Sequence, residues 1–311
     1  MARIISALIL CENRENGQLT ACGKCDGCKA VYKNASADFI ELDGASKSKI
    51  EHIRAIIDSS RYSPQHLKKK IFVIDECHRL SSAAMTSLLK TLEEPSETAV
   101  FILCTTNMET IPKAILSRCQ KLFFKPVPIS KIIGYLTKLF EFKKVTIEAS
   151  AIECIAKSSG GNIREALGMA QQIITLADGD VTEETVAQNF GVARRSELFA
   201  LVRAISKYDM LASFDILEKV SVSNVDARSF CSELGSIFRG IMLAKVAPKF
   251  VEDLTNSERD FIEEVKQNFE ILDITSFLDY FERAEKHLSA NIDSRWVLGA
   301  VIAKIIDKIQ S

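Results

Sequence analysis

No uninterrupted apolar stretch in this 311-residue chain approaches the roughly 18 residues needed to span a bilayer, so no membrane-crossing helix is expected. The first ten residues, MARIISALIL, set a basic residue ahead of an apolar stretch. The next residues are CENRENGQ rather than a small-residue cleavage site, which argues against a secretory signal. An excess of one charge is lacking too. With 40 Lys and Arg against 41 Asp and Glu the net charge is −1, so the molecule as a whole demands no polyanionic partner. Any nucleic-acid contact must then come from a local patch or from neighbouring subunits. There is no internal repeat and no low-complexity segment. None of the four histidines, His52, His66, His78 and His287, stands in ligand spacing with a cysteine or another histidine, and none is assigned a role.

The residues present have the composition of a globular protein, 47% apolar and 26% charged, in a chain long enough for two or three domains. Ile4, Ile5, Leu8 and Ile9 predict a first helix, and a loop rich in Cys, Gly and Asn comes after it. Strands are predicted over 39–42, 71–74, 99–106 and 121–124, with helices between them carrying Ile50, Ile53, Ile56 and Ile57, and then SSAAMTSLLKTLEEP with its serine cap and Pro95 just beyond. Continuous apolar strands separated by helices imply a parallel sheet covered on both faces, an α/β layer ending near Pro128. Beyond it only helical periods remain. One set runs through Ile132, Leu136, Phe140, Ile152, Ile155, Ile163, Leu167 and Ile173, and Thr182 is a cap. After Gly191 a second set runs through Leu198, Leu201, Val202, Ile205, Phe230, Leu234, Ile237, Phe238 and Ile241 to a helix around Trp296.

In open parallel sheets ligands sit at the carboxyl ends of strands, where Asp75 and Glu76 directly follow one. Such a pair can hold the Mg²⁺ that bridges nucleotide phosphates and polarise an attacking water, or it can simply cap the next loop. Nine cysteines, an odd number, fit a reducing cytoplasm with buried thiols better than a disulfide framework. Four of them, Cys11, Cys22, Cys25 and Cys28, are spaced C-x10-C-x2-C-x2-C with Gly23 and Gly27 among them. Four thiolates at this density suit a structural tetrahedral zinc over 11–28; an iron–sulfur cluster or unmetallated thiols are the alternatives. The lysines at 68–70 read as a solvated turn before a buried strand rather than a DNA contact.

Read in order, ELDGAS, IRAIID, IFVIDECHRL, LLKTLEEP, FILCTT, ILSRCQ and SGGNIREAL closely resemble the gamma/tau subunits of the bacterial DNA polymerase III clamp loader, which are AAA+ ATPases. The resemblance covers essentially the whole chain. It implies an AAA+ core over 1–128, a three-helix lid over 129–190 and a helical collar for oligomerisation over 191–311. By resemblance, Asp75 positions Mg²⁺ and Glu76 activates water, Thr106 is a first sensor facing the γ-phosphate, and Arg118 is a finger acting in trans on ATP in the neighbouring subunit. Arg164 is the lid arginine that folds back on ATP of its own subunit. For Arg118, a surface-paired helix-end arginine is the other reading. The family also carries a zinc module, with all four cysteines matched.

A phosphate-binding G-x-x-x-x-G-K-[ST] is missing from the 311 residues. The family's loop runs into a helix resembling ARI followed by CE, so the sequence is expected to begin just downstream of it, as an N-terminally truncated AAA+ core. Its backbone amides and lysine supply most of the phosphate cradle, and tight ATP binding by these residues alone is not expected. The strand feeding that loop would lie between those at 100–104 and 121–124, so two unpaired, aggregation-prone edges are expected. The expected partners are delta, delta-prime and further gamma/tau subunits through the collar, the sliding clamp, and primed DNA inside the assembly, in the cytoplasm. The alternative function is a delta-prime-like scaffold that lacks ATPase activity but donates Arg118. A zinc-containing DNA-binding regulator fits less well, because no helix-turn-helix or basic stripe accompanies the cysteines.

Overall fold

The computed structural model describes residues 1–14, 19–34, 36–46, 49–176, 179–223, 225–250, 254–290 and 292–310. They form two compact units, Met1–Phe123 and Phe124–Ser311.

The first unit contains helices α1 (Ala2–Leu10) and α2 (Asp26–Lys33), strand β1 (Phe39–Asp43), α3 (Ile50–Ser60), β2 (Lys70–Asp75), α4 (Ser82–Glu93), β3 (Ala99–Leu103) and the single turn α5 (Lys113–Leu116). The sheet is parallel in the order β1-β2-β3, with Asp43 opposite Asp75 and Ile74 opposite Leu103. Side chains along a strand alternate between faces, and here the alternation divides two cores. Phe72 and Ile74 of β2 join Leu42, Phe101, Leu103 and the apolar stripes of α3 and α4. Ile71 and Val73 join Phe39, Val100 and Ile102 against Ala7 and Leu10 of α1 and Val31 of α2. All four β2 side chains from 71 to 74 are at most 1% exposed. Burial on that scale is worth about 1.5–3 kcal/mol per side chain, so β2 is the least movable segment of the unit. The serine cap expected for α4 is Ser81, whose side chain accepts from the Ala84 N–H.

Residues 121–124 are not a strand. Among the described residues nothing pairs with the outer edge of β3, so this apolar segment has no ladder to join, and Leu122, Phe123 and Phe124 are exposed. Every β3 side chain is only partly buried. A second departure concerns Lys70. Lys68 and Lys69 are exposed, but Lys70 starts β2, is 5% exposed, and spends its charge on the Ser59 carbonyl, Nζ···O 3.1 Å.

The loop before β2 is held by Asp38. This buried carboxylate accepts from the backbone N–H groups of Gln65, His66 and Leu67 at 2.7–3.1 Å. Burial pushes the carboxyl upward, but those N–H groups, with Lys70 nearby, outweigh it and hold it below the ordinary aspartate value.

The second unit is helical: α6 (Ile129–Lys143), α7 (Ala149–Ser158), α8 (Ile163–Leu176), α9 (Glu183–Phe190), α10 (Arg195–Ser206), α11 (Met210–Val222), α12 (Ala227–Val246), α13 (Asn256–Val265), α14 (Ile271–Ser289) and α15 (Ser294–Gln310). It has two hydrophobic cores. One draws on α6, α7 and α8, with Val186 and Ala187 of α9 completing it; the other is built from α10 to α15. Thr182 caps α9, its hydroxyl accepting from the Thr185 N–H. A charge network joins the two cores. Arg195 reaches Glu153 of α7, Thr255 Oγ1 and Glu258, and Lys157 of α7 also meets Glu258 at 2.7 Å. Beside it, burial pushes the Glu233 carboxyl up to about 7 against the pull of Arg195. No described helix is long and apolar enough to cross a membrane.

Asp38→Asn is expected to cost about 2 kcal/mol at neutral pH, since it removes charge-assisted bonds and sets an amide N–H against backbone donors. A depressed folded pKa makes this stabilisation present above the unfolded value of roughly 3.9 and lost as pH falls through the folded value. Urea unfolding of both proteins at pH 7 and pH 3 checks this: the gap between them should narrow in acid.

Candidate zinc module and acidic strand ends

The four cysteines converge because α1 ends against the start of α2. A Cβ at Gly27 would lie 2.1 Å from the Leu10 carbonyl oxygen, so only glycine permits the contact that sets Cys11 beside Cys25 and Cys28. Gly23 turns the chain with φ 72°. Cys25 then caps α2, its sulfur accepting from the Cys28 N–H. All four Sγ atoms lie within 4.8 Å of one another, and Cys22 and Cys28 are 3.9 Å apart. A tetrahedral zinc with Zn–S bonds of about 2.3 Å spaces its sulfurs about 3.8 Å apart, so the donor set fits that ion.

Backbone N–H groups already point at the sulfurs. Those of Lys24 and Cys25 lie 3.5 and 3.4 Å from Cys22 Sγ and draw that thiol down to about 6. Burial pushes Cys25 up, but the Glu12 and Cys28 N–H groups outweigh it and leave the thiol lowered. Burial drives Cys28 up to about 12. A buried thiolate there requires a cation, and a divalent metal provides one.

The second constellation stands at the carboxyl ends of β2 and β3. The ladder continues past both strands, with Cys104 N–H donating to Ile74 O and Cys77 N–H to Cys104 O, each at 2.9 Å. This draws the TTN turn after β3 alongside Asp75 and Glu76. Asp75 is exposed at its strand end and accepts from the Glu76 N–H. Glu76 takes the left-handed conformation, φ 47° and ψ 40°, which a residue with a Cβ adopts at a cost of about 1–2 kcal/mol. Gly44 packs under this turn, where a Cβ would come within 2.9 Å of both the Asp75 and Glu76 carbonyl oxygens. Thr106 Oγ1 donates to Glu76 Oε2 at 3.4 Å. His78 Nδ1 lies 3.2 Å from that same oxygen.

Two family models match the chain: DNA polymerase III, delta subunit, over residues 1–128, and DNA polymerase III subunits gamma and tau domain III, over residues 181–304. The DNA polymerase III subunit gamma of Buchnera aphidicola subsp. Acyrthosiphon pisum is 33% identical over 271 residues, which is 86% of this chain and 74% of that protein. The chain belongs to the DNA polymerase III gamma/tau family. A Mycoplasma genitalium gamma/tau subunit is also 33% identical, over 86% of this chain but only 44% of its own length. The gamma/tau family chain thus spans less than half of such longer relatives. Among solved structures, the Bacillus subtilis DNA clamp loader delta protein (YqeN) aligns at 13% identity and a TM-score of 0.40, over 87% of this chain and 86% of that one.

Of the residues singled out in this gamma/tau family sequence, Asp75, Glu76 and Thr106 come together. Arg118, just past α5, is in a surface pair with Glu93 and also donates to Ala114 O at 2.7 Å. Arg164 is exposed in the second unit, on the first turn of α8, where the Asn162 side chain accepts from its backbone N–H. Sequence reading passed over His78 and Thr105, for no spacing rule announces a contact made across two strand ends. It also passed over a groove of about 440 Å³ between α3 and α4, where Arg54, Arg61 and Lys90 outnumber Asp58. Helical periodicity on α3 and α4 places these cations on one face, and that was the available signal.

Cys28→Ser should lose the metal and loosen the packing of α1 on α2. Gly27→Ala should do the same without touching a ligand. Elemental analysis together with hydrogen exchange at α1 checks both; iron instead of zinc, or no metal in wild type, would contradict the zinc assignment.

Proposed function

We propose that the chain is an ATPase motor subunit of a sliding-clamp loader, using ATP hydrolysis to place the clamp on primed DNA during replication. The supporting observation is the meeting of Asp75, Glu76 and Thr106 at the carboxyl ends of two parallel strands. When bound with ATP, a Mg²⁺ ion would supply neutralisation of the charge on the phosphoryl oxygens. Asp75, exposed at the end of β2, would hold the cation. Glu76 accepts the proton of the attacking water, and Thr106, fixed beside it, reports on the terminal phosphate. The residues present supply this half of the chemistry; the phosphate cradle is not among them, since the sequence has no G-x-x-x-x-G-K-[ST].

Arg118 acts on the neighbouring subunit's nucleotide. Its pairing with Glu93 is partly exposed, 34% and 47% at the two side chains. Such pairs are worth about 0–1 kcal/mol, so exchange for a phosphoryl group is favourable. Arg164 serves ATP of its own subunit. Residues 1–128 form the core, 129–190 the lid and 191–311 the collar that meets delta, delta-prime and further gamma/tau subunits; the separate hydrophobic cores support this division. Zinc is structural. The Arg54, Arg61 and Lys90 groove suits a phosphate backbone, which favours DNA within the assembly. The cytoplasm is the compartment that keeps its thiols reduced.

A non-catalytic scaffold subunit that donates Arg118 is the second reading, favoured by the delta-subunit match over residues 1–128. One experiment separates the two. In the complex reconstituted with a full-length subunit that carries the phosphate loop, Glu76→Gln should cut ATP turnover by at least about ten-fold while nucleotide still binds, a cautious figure for loss of a general base. Arg118→Ala should also cut turnover by at least about ten-fold with this subunit's own nucleotide affinity intact. A scaffold would show the Arg118 effect and no Glu76 effect.

A further inference from the structure

The turn after β2 holds a histidine to which the proposed chemistry gives no part. Left-handed Glu76 bends the chain into the turn Cys77–Arg79, bringing His78 back alongside the Glu76 carboxylate. His78 Nδ1 is 3.2 Å from Glu76 Oε2 and 3.1 Å from Thr105 Oγ1. The Thr105 hydroxyl settles which atom carries the proton. Its own hydrogen is committed to Asn107 O at 2.9 Å, and its oxygen also accepts from the Asn107 N–H at 3.0 Å. Thr105 therefore faces His78 as an acceptor, and the Glu76 carboxylate is an acceptor as well. Nδ1, bonded to Thr105, must therefore be the donor, so the ring carries a proton at Nδ1.

We infer that His78 is the positioning residue for the water-polarising carboxylate, an inference that rests on the reading of Glu76 as the base. Oε2 accepts from the Thr106 hydroxyl and lies 3.2 Å from His78 Nδ1, within ion-pair distance, while the hydrogen bond of that nitrogen runs to Thr105 Oγ1. Among the described residues no hydrogen bond engages Oε1. The hydroxyl bond and the ring contact hold one oxygen and aim the other, so Oε1 takes the water proton. They also tie the carboxylate to the turn that follows β3: Thr105 through His78, and Thr106 directly. A shift of that turn then swings Oε1 toward or away from the reaction. Without the ring at this place Glu76 loses its aim, which lowers turnover rather than nucleotide affinity.

Two measurements test this. The first needs no nucleotide: in protein labelled with ¹⁵N at histidine, the His78 ring should show a protonated Nδ1. The second compares ring replacements in the reconstituted complex. An Asn amide nitrogen occupies the place of Nδ1, whereas that of Gln reaches the place of Nε2. His78→Ala and His78→Gln should lower kcat for ATP hydrolysis by at least about ten-fold with KM within about two-fold, and His78→Asn should recover most of the loss. A ring protonated at Nε2 alone, or Asn and Gln variants that fall equally, would overturn the inference. Unchanged turnover in Glu76→Gln would overturn the base reading itself. The nucleotide-free ring signal tells that failure apart from a failure of His78.

Discussion

Side chains 71 to 74 of β2 point alternately into two cores, and the chemistry of the first unit depends on that alternation. Phe72 and Ile74 bind the α3 and α4 layer, while Ile71 and Val73 bind α1 and α2. A one-residue slip of β2 would exchange the two sets and carry Asp75 to the wrong face. Because both faces are closed, register is dictated from both sides. The strand's end, with the acidic pair on it, is held as firmly as the core, and the turn after β3 is fixed against it by two backbone bonds through Cys104.

Around this sheet the irregular segments are held by polar devices. The buried Asp38 carboxylate gathers three consecutive N–H groups ahead of β2, and four sulfurs do comparable work between α1 and α2. Each supplies side-chain acceptors for backbone N–H groups outside any strand ladder. Such devices are sensitive to chemistry rather than to shape: protonation weakens the first, and the second depends on the state of its thiols.

These differences explain what was legible in the sequence. Apolar periodicity predicts β1, β2, β3, α1, α3, α4 and the helical second unit, and the Ser81 and Thr182 caps come from side-chain chemistry. The cysteine spacing announces its cluster because four like ligands at short intervals have few other uses. Periodicity misleads at 121–124, where apolar residues without a neighbouring strand form no regular element and are exposed. It misleads again at Lys70, whose charge is satisfied by a carbonyl on the preceding helix. Helix α2 begins inside the cysteine loop, its start concealed because its cap is a sulfur. The strand-end site was half legible: Asp75, Glu76 and Thr106 are marked by position, but His78 is placed by the backbone turn at Glu76, which local sequence does not disclose.

The network between the helical cores of the second unit has an evolutionary consequence. Arg195, Lys157, Glu153 and Glu258 satisfy one another with little help from water, their side chains being 10–23% exposed. Losing one partner of such a set strands the remaining charges, at about 3–5 kcal/mol, whereas replacing the whole set by apolar residues can be nearly neutral. Single-step drift at these positions is therefore blocked, and related chains should carry either the complete quartet or none of it. The junction is inherited as a block, and its four positions should vary together across the lineage.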